Sequence, residues 1–372
     1  MKRKISLLLV MLLAFTMFIS TAAVSVSAAT TYTPIGGSTT FVKNLIVDAD
    51  ANIPDITFAY TIKRGDAVAA TDTTIEILVS ESGGGTVGTA AFTNADTANT
   101  ILGLPTDADP ANPTEGKKYA QKEVTITLPD TSFNKPGVYR YEITETNGSL
   151  PGVTYDTNAK RYLDVFVVAN EHDVLSVDSY VLRDSKTNIG TDGEYVEDPD
   201  NKSVGYTSTI TQYDFEFSKV ISGNQGDKNK RFTFTLNVSN ANPGTYPVIS
   251  NDVTNNPSSI TVSASGTASA EYQLTNGSSV KIVGLNAEAV CSVSENADDY
   301  TPTHSLDGAE AVAGSESGNI TLQADHSVVF TNTRNGIIPT GVIVEIAPFA
   351  IGILVFGAVI VFIIIRRKKR PY

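Results

Sequence analysis

Alternation of apolar and polar residues with a period of two constrains the fold of this chain more than any other feature of its sequence. Successive side chains of a β-strand point to opposite faces, so this alternation predicts strands with one buried face. Between the two apolar ends of the chain, no segment has the spacing of an amphipathic helix. Four segments alternate in this way. In each, the residues on one face are, in turn, Phe41, Lys43, Leu45 and Val47; Tyr139, Tyr141, Ile143 and Glu145; Phe215, Phe217, Lys219 and Ile221; and Val328, Phe330 and Asn332.

The composition between the ends is also that of a β-sheet protein. Tryptophan is absent, Tyr and Phe number 15 each, and Gly, Pro, Asn and Asp recur between the alternating segments as turn residues. Aromatic and β-branched residues separated by such turns are typical of β-sandwiches. The predicted fold class is therefore all-β.

The N-terminal 29 residues have the three parts of a secretory signal peptide. A basic start at 2–4 precedes an apolar run at 5–19, and small residues close the segment at 26–29. This order predicts export followed by cleavage after Ala28 or Ala29. An uncleaved membrane anchor is the alternative interpretation.

The C-terminal end predicts a membrane-spanning helix. Residues 346–365 are uncharged and largely apolar, which is long enough to cross a bilayer, and the basic residues 366–370 follow at once. Positive charge marks the cytoplasmic side of a membrane, so the bulk of the chain would lie outside.

Charge and cysteine content exclude several classes of function. The net charge is −13 and no basic stripe is present, so nucleic-acid binding is not expected. With Cys291 as its single cysteine, the chain can form no internal disulfide. The three histidines lie at scattered positions without the spacing of metal ligands, and neither a metal nor a cofactor is predicted.

The middle of the chain contains two versions of one domain, at about 30–210 and 211–335. Each version opens with a Lys-bearing strand followed by a Phe-rich strand, and each has a late strand that ends in Glu. Each also closes with a similar strand, at 204–209 in the first version and at 328–333 in the second. The repeat predicts two tandem domains of the same fold.

Three polar residues of the second version lie on its apolar face: Lys219, Glu295 and Asn332. Burial of a lone charge is costly, so these side chains should meet one another or react. An apolar pocket lowers the pKa of a lysine and raises that of a glutamate, and a neutral amine is a nucleophile. Held against the carboxamide, the Lys–Glu pair could form a Lys–Asn isopeptide bond and release ammonia.

The segment before the C-terminal helix, Ile337-Ile338-Pro339-Thr340-Gly341, resembles the sorting motif of Gram-positive pilins. The resemblance implies that a sortase thiol attacks the carbonyl of Thr340, releases the Gly341 side with the helix, and passes the thioester to an amine. The motif has no residue between Pro339 and Thr340, which resembles the motif of pilins whose sortases are specialised for polymerisation. The resemblance therefore favours polymerisation over simple anchoring, with peptidoglycan attachment at the end of the process.

The region 31–341 resembles the streptococcal T-antigen-type backbone pilins, whose two immunoglobulin-like domains of the collagen-adhesin B type each carry a Lys–Asn isopeptide bond. The most specific stretches are Lys43-Asn44-Leu45, Lys135-Pro136-Gly137-Val138-Tyr139, Pro151-Gly152-Val153-Thr154-Tyr155-Asp156-Thr157 and Phe330-Thr331-Asn332. The resemblance implies that Lys219 is the nucleophile, Glu295 the proton relay and Asn332 the acceptor. It predicts a signal peptide at 1–29, a first β-sandwich at 30–210, a second with the isopeptide bond at 211–335, a sorting motif at 336–341, a transmembrane helix at 342–365 and a basic cytoplasmic tail at 366–372.

The first domain departs from the pattern of this family. Lys43 and Glu145 are present, but the position of the acceptor is Ser208, which has no carboxamide. We expect an unlinked first domain with a buried Lys43–Glu145 pair. Asn201 is an alternative acceptor, although it should face outward if the last strand extends that far. By the same resemblance, the amine that receives Thr340 is Lys202 or, second, Lys186.

These observations predict a structural subunit of a sortase-assembled pilus that contacts a sortase, other pilin subunits, peptidoglycan and, before processing, the plasma membrane. The alternative is a single-copy wall-anchored protein, such as an accessory pilin or an adhesin. No catalytic constellation beyond the self-crosslinking one is present, so an enzyme is not expected.

Overall fold

The computed structural model describes residues 31–71, 75–96, 117–186, 201–253 and 256–336. The described part contains strands and no helix, which confirms the predicted all-β class. In particular, it contains no helix long and apolar enough to cross a membrane. The predicted signal peptide, residues 337–341 of the sorting motif, the span at 342–365 and the tail at 366–372 lie outside the described residues.

The first group of strands forms two sheets. Its strands are β1 (Ile35–Asp48), β2 (Ile56–Arg64), β3 (Ile77–Leu78), β4 (Thr86–Val87), β5 (Ala90–Phe92), β6 (Lys117–Phe133), β7 (Gly137–Thr146), β8 (Val153–Thr154), β9 (Lys160–Ala169), β10 (Leu175–Arg183) and β11 (Gly205–Ile210). One sheet has the order β4-β6-β1-β11-β8, and the other has the order β10-β9-β7-β2-β5 with β3 on β7.

The second group also forms two sheets. Its strands are β12 (Gln212–Ser222), β13 (Phe232–Ser239), β14 (Gly244–Ser250), β15 (Ser259–Val262), β16 (Ala268–Leu274), β17 (Ser279–Asn286), β18 (Val290–Glu295), β19 (Thr301–Leu306), β20 (Val312–Ala313), β21 (Ile320–Thr321) and β22 (His326–Thr333). Their orders are β15-β14-β17-β12-β22-β19-β20 and β16-β13-β18-β21. Among the described strands, pairing stays within a group, and the groups meet at Thr211.

Each group encloses its own hydrophobic core, as a sandwich of two sheets requires. The first core includes Phe41, Phe58 and Tyr141, and the second includes Phe217, Phe234 and Phe330. Burial of each such ring contributes about 1.5–3 kcal/mol to folding. The alternation in the sequence is the origin of these cores, because it supplies one apolar side chain for every second residue of a strand.

The first strand and the last strand of each group are parallel neighbours. In the first group, β1 pairs with β11, and Lys43 lies opposite Tyr206. In the second group, β12 pairs with β22, and Lys219 lies opposite Phe330. The two ends of each domain therefore lie side by side in the middle of a sheet, and this pairing determines which polar side chains meet inside each sandwich.

Candidate crosslinking site

Three strands of the second domain bring Lys219, Glu295 and Asn332 together in its core. Lys219 lies on β12, Glu295 on β18 of the facing sheet, and Asn332 on β22 beside β12. Their relative exposures are 0%, 6% and 0%. Each strand keeps its alternation through the polar residue, so the backbone directs that residue inward along with its apolar neighbours.

One carboxylate oxygen contacts both of the other groups. The Lys219 Nζ atom is 2.7 Å from Glu295 Oε1, and the Asn332 Nδ2 atom donates a hydrogen bond to the same oxygen at 2.8 Å. The contact between the Lys219 amine and the Glu295 carboxylate is a buried ion pair. Three buried atoms have no hydrogen-bond partner: Lys219 Nζ, Glu295 Oε2 and Asn332 Oδ1. Such atoms are costly to bury.

Burial shifts both titrating groups toward their neutral forms. Desolvation lowers the pKa of Lys219 to about 8, against the opposing effect of Glu295. Desolvation raises the pKa of Glu295, although Lys219 and the hydrogen bond from Asn332 oppose this rise. With a pKa near 8, roughly a tenth of the Lys219 amine is neutral at pH 7. The pocket therefore raises the neutral fractions of the Lys219 amine and the Glu295 carboxyl above those of exposed groups.

Aromatic rings form the walls around this amine. The Lys219 Nζ atom lies 4.7 Å from the ring centroid of Phe232 and 5.9 Å from that of Phe234. Phe234 is also the residue opposite Glu295 in the pairing of β13 with β18. The sequence indicated a Phe-rich strand at this position, but it did not assign these rings to the site. Their proximity follows from the pairing of strands that are distant in the sequence.

The first domain holds a related cluster at the equivalent place. The Lys43 Nζ atom donates to Glu145 Oε1 and to Ser208 Oγ, both at 2.6 Å. The ring centroid of Phe58 lies 4.1 Å from the same amine. The hydroxyl of Tyr60, which sequence analysis did not single out, donates to Glu145 Oε1 at 3.2 Å. Desolvation lowers the pKa of Lys43, and Glu145 opposes this shift.

Strand register makes the two clusters equivalent residue by residue. In the second domain, Asn332 lies opposite the residue two positions after Lys219. In the first domain, Ser208 lies opposite Leu45, which is two positions after Lys43. Ser208 therefore occupies the acceptor position without a carboxamide. Its hydroxyl and that of Tyr60 complete a hydrogen-bonded cluster in which Glu145 Oε2 is the one unpartnered atom, whereas the cluster of Lys219, Glu295 and Asn332 contains three.

The alternative acceptor, Asn201, is hydrogen-bonded to Ser185. Strand β11 begins at Gly205, so Asn201 lies outside the strand. Asn201 is buried rather than outward-facing, and its Oδ1 atom accepts hydrogen bonds from the amide and the hydroxyl of Ser185. The side chain of Asn201 thus helps to hold the segment before β11.

The two candidate linkage lysines are exposed at the edge of the first domain. Lys202 forms a β-bridge with Arg183. The Lys186 amine lies 5.3 Å above the ring of Tyr162, and its carbonyl accepts a hydrogen bond from Arg140. Thr340, their proposed partner, lies outside the described residues. Among the described residues no cluster of three or more metal-ligating side chains occurs.

The fold and the paired clusters define a class of two-domain β-sandwich proteins with lysine–carboxylate sites between the first and last strands. Residues 39–190 match the family model described as Spy0128-like isopeptide containing domain. Residues 213–334 match a domain of unknown function (DUF7601). The first match ends before Ser208, whereas the complete Lys219–Glu295–Asn332 set lies within the second.

In comparisons with whole proteins, the chain is similar to streptococcal pilins. It is 26% identical over 342 residues to a pilin of Streptococcus pyogenes serotype M1, and the match covers 88% of this chain and 90% of the relative. The fold is similar to that of the major pilin protein T3.2 of Streptococcus pyogenes serotype GAS13637. This match has a TM-score of 0.50, 20% identity, and coverage of 80% of this chain and 99% of the other.

Proposed function

We propose that this chain is a structural subunit of a covalently polymerised pilus on the surface of a Gram-positive cell. The homologous pilin and the match to an isopeptide-containing domain family support this function. The observation that carries it is the buried cluster of Lys219, Glu295 and Asn332, in which one carboxylate oxygen contacts both the amine and the carboxamide.

The cluster supports an autocatalytic condensation between Lys219 and Asn332. The neutral Nζ atom attacks Cγ of Asn332, a new C–N bond forms, and the Cγ–Nδ2 bond breaks. The Glu295 carboxyl takes the proton lost by the amine and gives a proton to the departing nitrogen, which leaves as ammonia. The Nζ and Nδ2 atoms lie 2.7 Å and 2.8 Å from the same Glu295 oxygen, so one carboxyl can serve both nitrogens.

The product would satisfy the three unpartnered atoms of the reactants. The new amide N–H, formed from Lys219 Nζ, can donate to Glu295 Oε1. The protonated Oε2 of the same carboxyl can donate to Asn332 Oδ1, now the oxygen of the new amide. Unmade hydrogen bonds in a buried site cost about 1–3 kcal/mol each, so the reaction would relieve an unfavourable core.

Such a bond would make the second domain resistant to pulling. It would connect β12 to β22 across a loop of about 114 residues, which stabilises the fold by on the order of 5 kcal/mol in the chain-entropy treatment. Force applied to the ends of the domain would pass through covalent bonds, because the two crosslinked strands are its first and last.

The first domain would remain unlinked. Ser208 occupies the acceptor position, and the hydroxyl groups of Ser208 and Tyr60 complete a hydrogen-bonded cluster with Lys43 and Glu145. No carboxamide takes part in this cluster. Lys43 and Glu145 would therefore persist as a buried ion pair.

Polymerisation would proceed by the sortase chemistry that the sorting motif implies. A sortase would cleave between Thr340 and Gly341 and transfer Thr340 to Lys202 or Lys186 of another subunit. The C-terminal helix would hold the precursor in the plasma membrane until cleavage, and the last transfer would attach the polymer to peptidoglycan.

Intact-mass spectrometry tests the crosslink. The mature chain should be about 17 Da lighter than its sequence mass, through loss of one ammonia, and the Lys219→Ala variant should show no loss. A loss twice as large would contradict the unlinked first domain, and no loss would contradict the isopeptide bond. Denaturing electrophoresis of cell-wall extracts tests polymerisation: a ladder of multimers supports a backbone pilin, whereas a single band supports the single-copy alternative.

A further inference from the structure

We propose that the two domains are fixed to each other by a fitted joint and behave as one rigid body. The joint consists of residues 48–55 and 151–152 of the first domain, the linker residue Thr211, and residues 212, 242–245 and 284–287 of the second domain. Domains connected by a short linker are expected to move relative to each other unless their interface prevents it. Contacts from several separate segments of both domains meet at this joint, and together they oppose such motion.

The loop after β1 makes three hydrogen bonds to the second domain. The Asp48 amide donates to Gln212 Oε1 at 3.0 Å, and the Asp55 amide donates to the carbonyl of Pro243 at 2.7 Å. The side chain of Asn52 donates to the carbonyl of Thr245 at 2.8 Å. Two of these donors are backbone amides, so the bonds fix the course of the loop as well as its side chains.

The turn before β8 provides contacts at a separate place. The Asn242 side chain donates to the carbonyl of Pro151 at 3.0 Å. The linker residue Thr211 is held on both sides: its amide donates to Gly152, and its carbonyl accepts from Ala287. Rotation about the linker would break bonds of the turn or of the loop after β1, because the two sets belong to different segments.

Close packing at Ala51 completes the joint. Ala51 is 0% exposed, yet it belongs to neither hydrophobic core. It lies against Gly284, where an added Cβ atom would be 2.3 Å from the Cβ atom of Ala51. Gly284 also has a φ of +75°, which side-chain-bearing residues rarely adopt. Gly284 therefore provides space for the backbone of the other domain.

Residual dipolar couplings of the mature chain test this proposal. Amides in the two domains should report one common alignment tensor, in magnitude and in orientation. The Ala51→Leu variant places a larger side chain in the joint while both hydrophobic cores stay intact, so its two domains should report different tensors. Ala313→Leu is the matched control because Ala313 is exposed on β20, the edge strand of its sheet on the side opposite to β14 and β17, and it should retain the common tensor.

Amide hydrogen exchange provides a second measurement that needs no variant. The amides of Asp48 and Asp55 should exchange on the order of 100-fold more slowly than those of an open loop. Different tensors for the two domains in the natural chain, exchange of these amides at the open-loop rate, or an unchanged tensor in Ala51→Leu would each overturn the proposal. The loss of ammonia from the second domain is independent of all these outcomes.

Discussion

The first domain should form an isopeptide bond when a carboxamide is restored at its acceptor position. The change is Ser208→Asn. The Lys43 Nζ atom already lies 2.6 Å from Ser208 Oγ, and Glu145 contacts the same amine. The side-chain carbon of the new carboxamide would take the place of that hydroxyl oxygen. Reacting atoms attack from about 3–3.5 Å, so the side chains need to adjust by only a fraction of an ångström.

The expected stabilisation can be estimated from the loop that the bond would close. Lys43 and the acceptor position are separated by 165 residues. A crosslink across this distance contributes about 5 kcal/mol, against about 1–3 kcal/mol for inserting the larger side chain into a packed core. For a domain of this size, the net gain corresponds to a rise of roughly 5–10 °C in Tm.

Intact-mass spectrometry and peptide mapping provide the assay. The Ser208→Asn variant should be about 34 Da lighter than its own sequence mass, and a digest should contain a peptide branched at Lys43. Ser208→Leu is the matched control, because it fills the same space without a carboxamide and should lose one ammonia only. A double variant adds Tyr60→Phe to Ser208→Asn, because the Tyr60 hydroxyl donates to the same Glu145 oxygen that Lys43 contacts. A folded double variant that still lacked the second loss would refute the inference from register.

Three further predictions follow from the same sites. Crosslinking of the second domain during refolding should accelerate by about tenfold per pH unit below pH 7 and level off above pH 8, because neutral Lys219 is the nucleophile and its pKa is about 8. Time-resolved mass spectra at several pH values measure this, and a rate independent of pH would contradict it. Lys43→Met should destabilise the first domain by about 3–5 kcal/mol in urea denaturation, since it leaves a buried carboxylate without its cation, and a loss below about 1 kcal/mol would show that the pair contributes little. Lys202→Arg should abolish the ladder of multimers in wall extracts while Lys186→Arg leaves it intact; the opposite result would assign the linkage to Lys186.

Much of the fold and of the reactive cluster can be predicted from the sequence, because both depend on alternation along single strands. A polar residue at an even spacing from the apolar residues of its strand points into the core with them. Lys219, Glu295 and Asn332 have this spacing and are buried. The equivalence of Ser208 with Asn332 could also be predicted, because the last strands of the two domains have similar sequences.

Residues that join a cluster through pairing between distant strands could not be predicted in this way. Tyr60 alternates like an ordinary core residue, and its hydrogen bond arises because it lies opposite Glu145 in the pairing of β2 with β7. Asn201 was expected to face outward if the last strand reached it, but β11 begins at Gly205. The joint around Ala51 consists of turns, whose geometry leaves no periodic signal in the sequence.

The continuity of β11 and β12 has a consequence for the architecture of a polymer. A single residue, Thr211, separates the two strands, and Lys202 lies just before β11. If successive subunits are joined through Lys202 and Thr340, the covalent backbone of the filament runs from Lys202 through β11 and β12 to the Lys219–Asn332 bond. Most of the first domain, up to residue 201, then lies outside this covalent path as a pendant domain. A pendant domain can lose its own crosslink, as the serine at position 208 indicates, without weakening the filament.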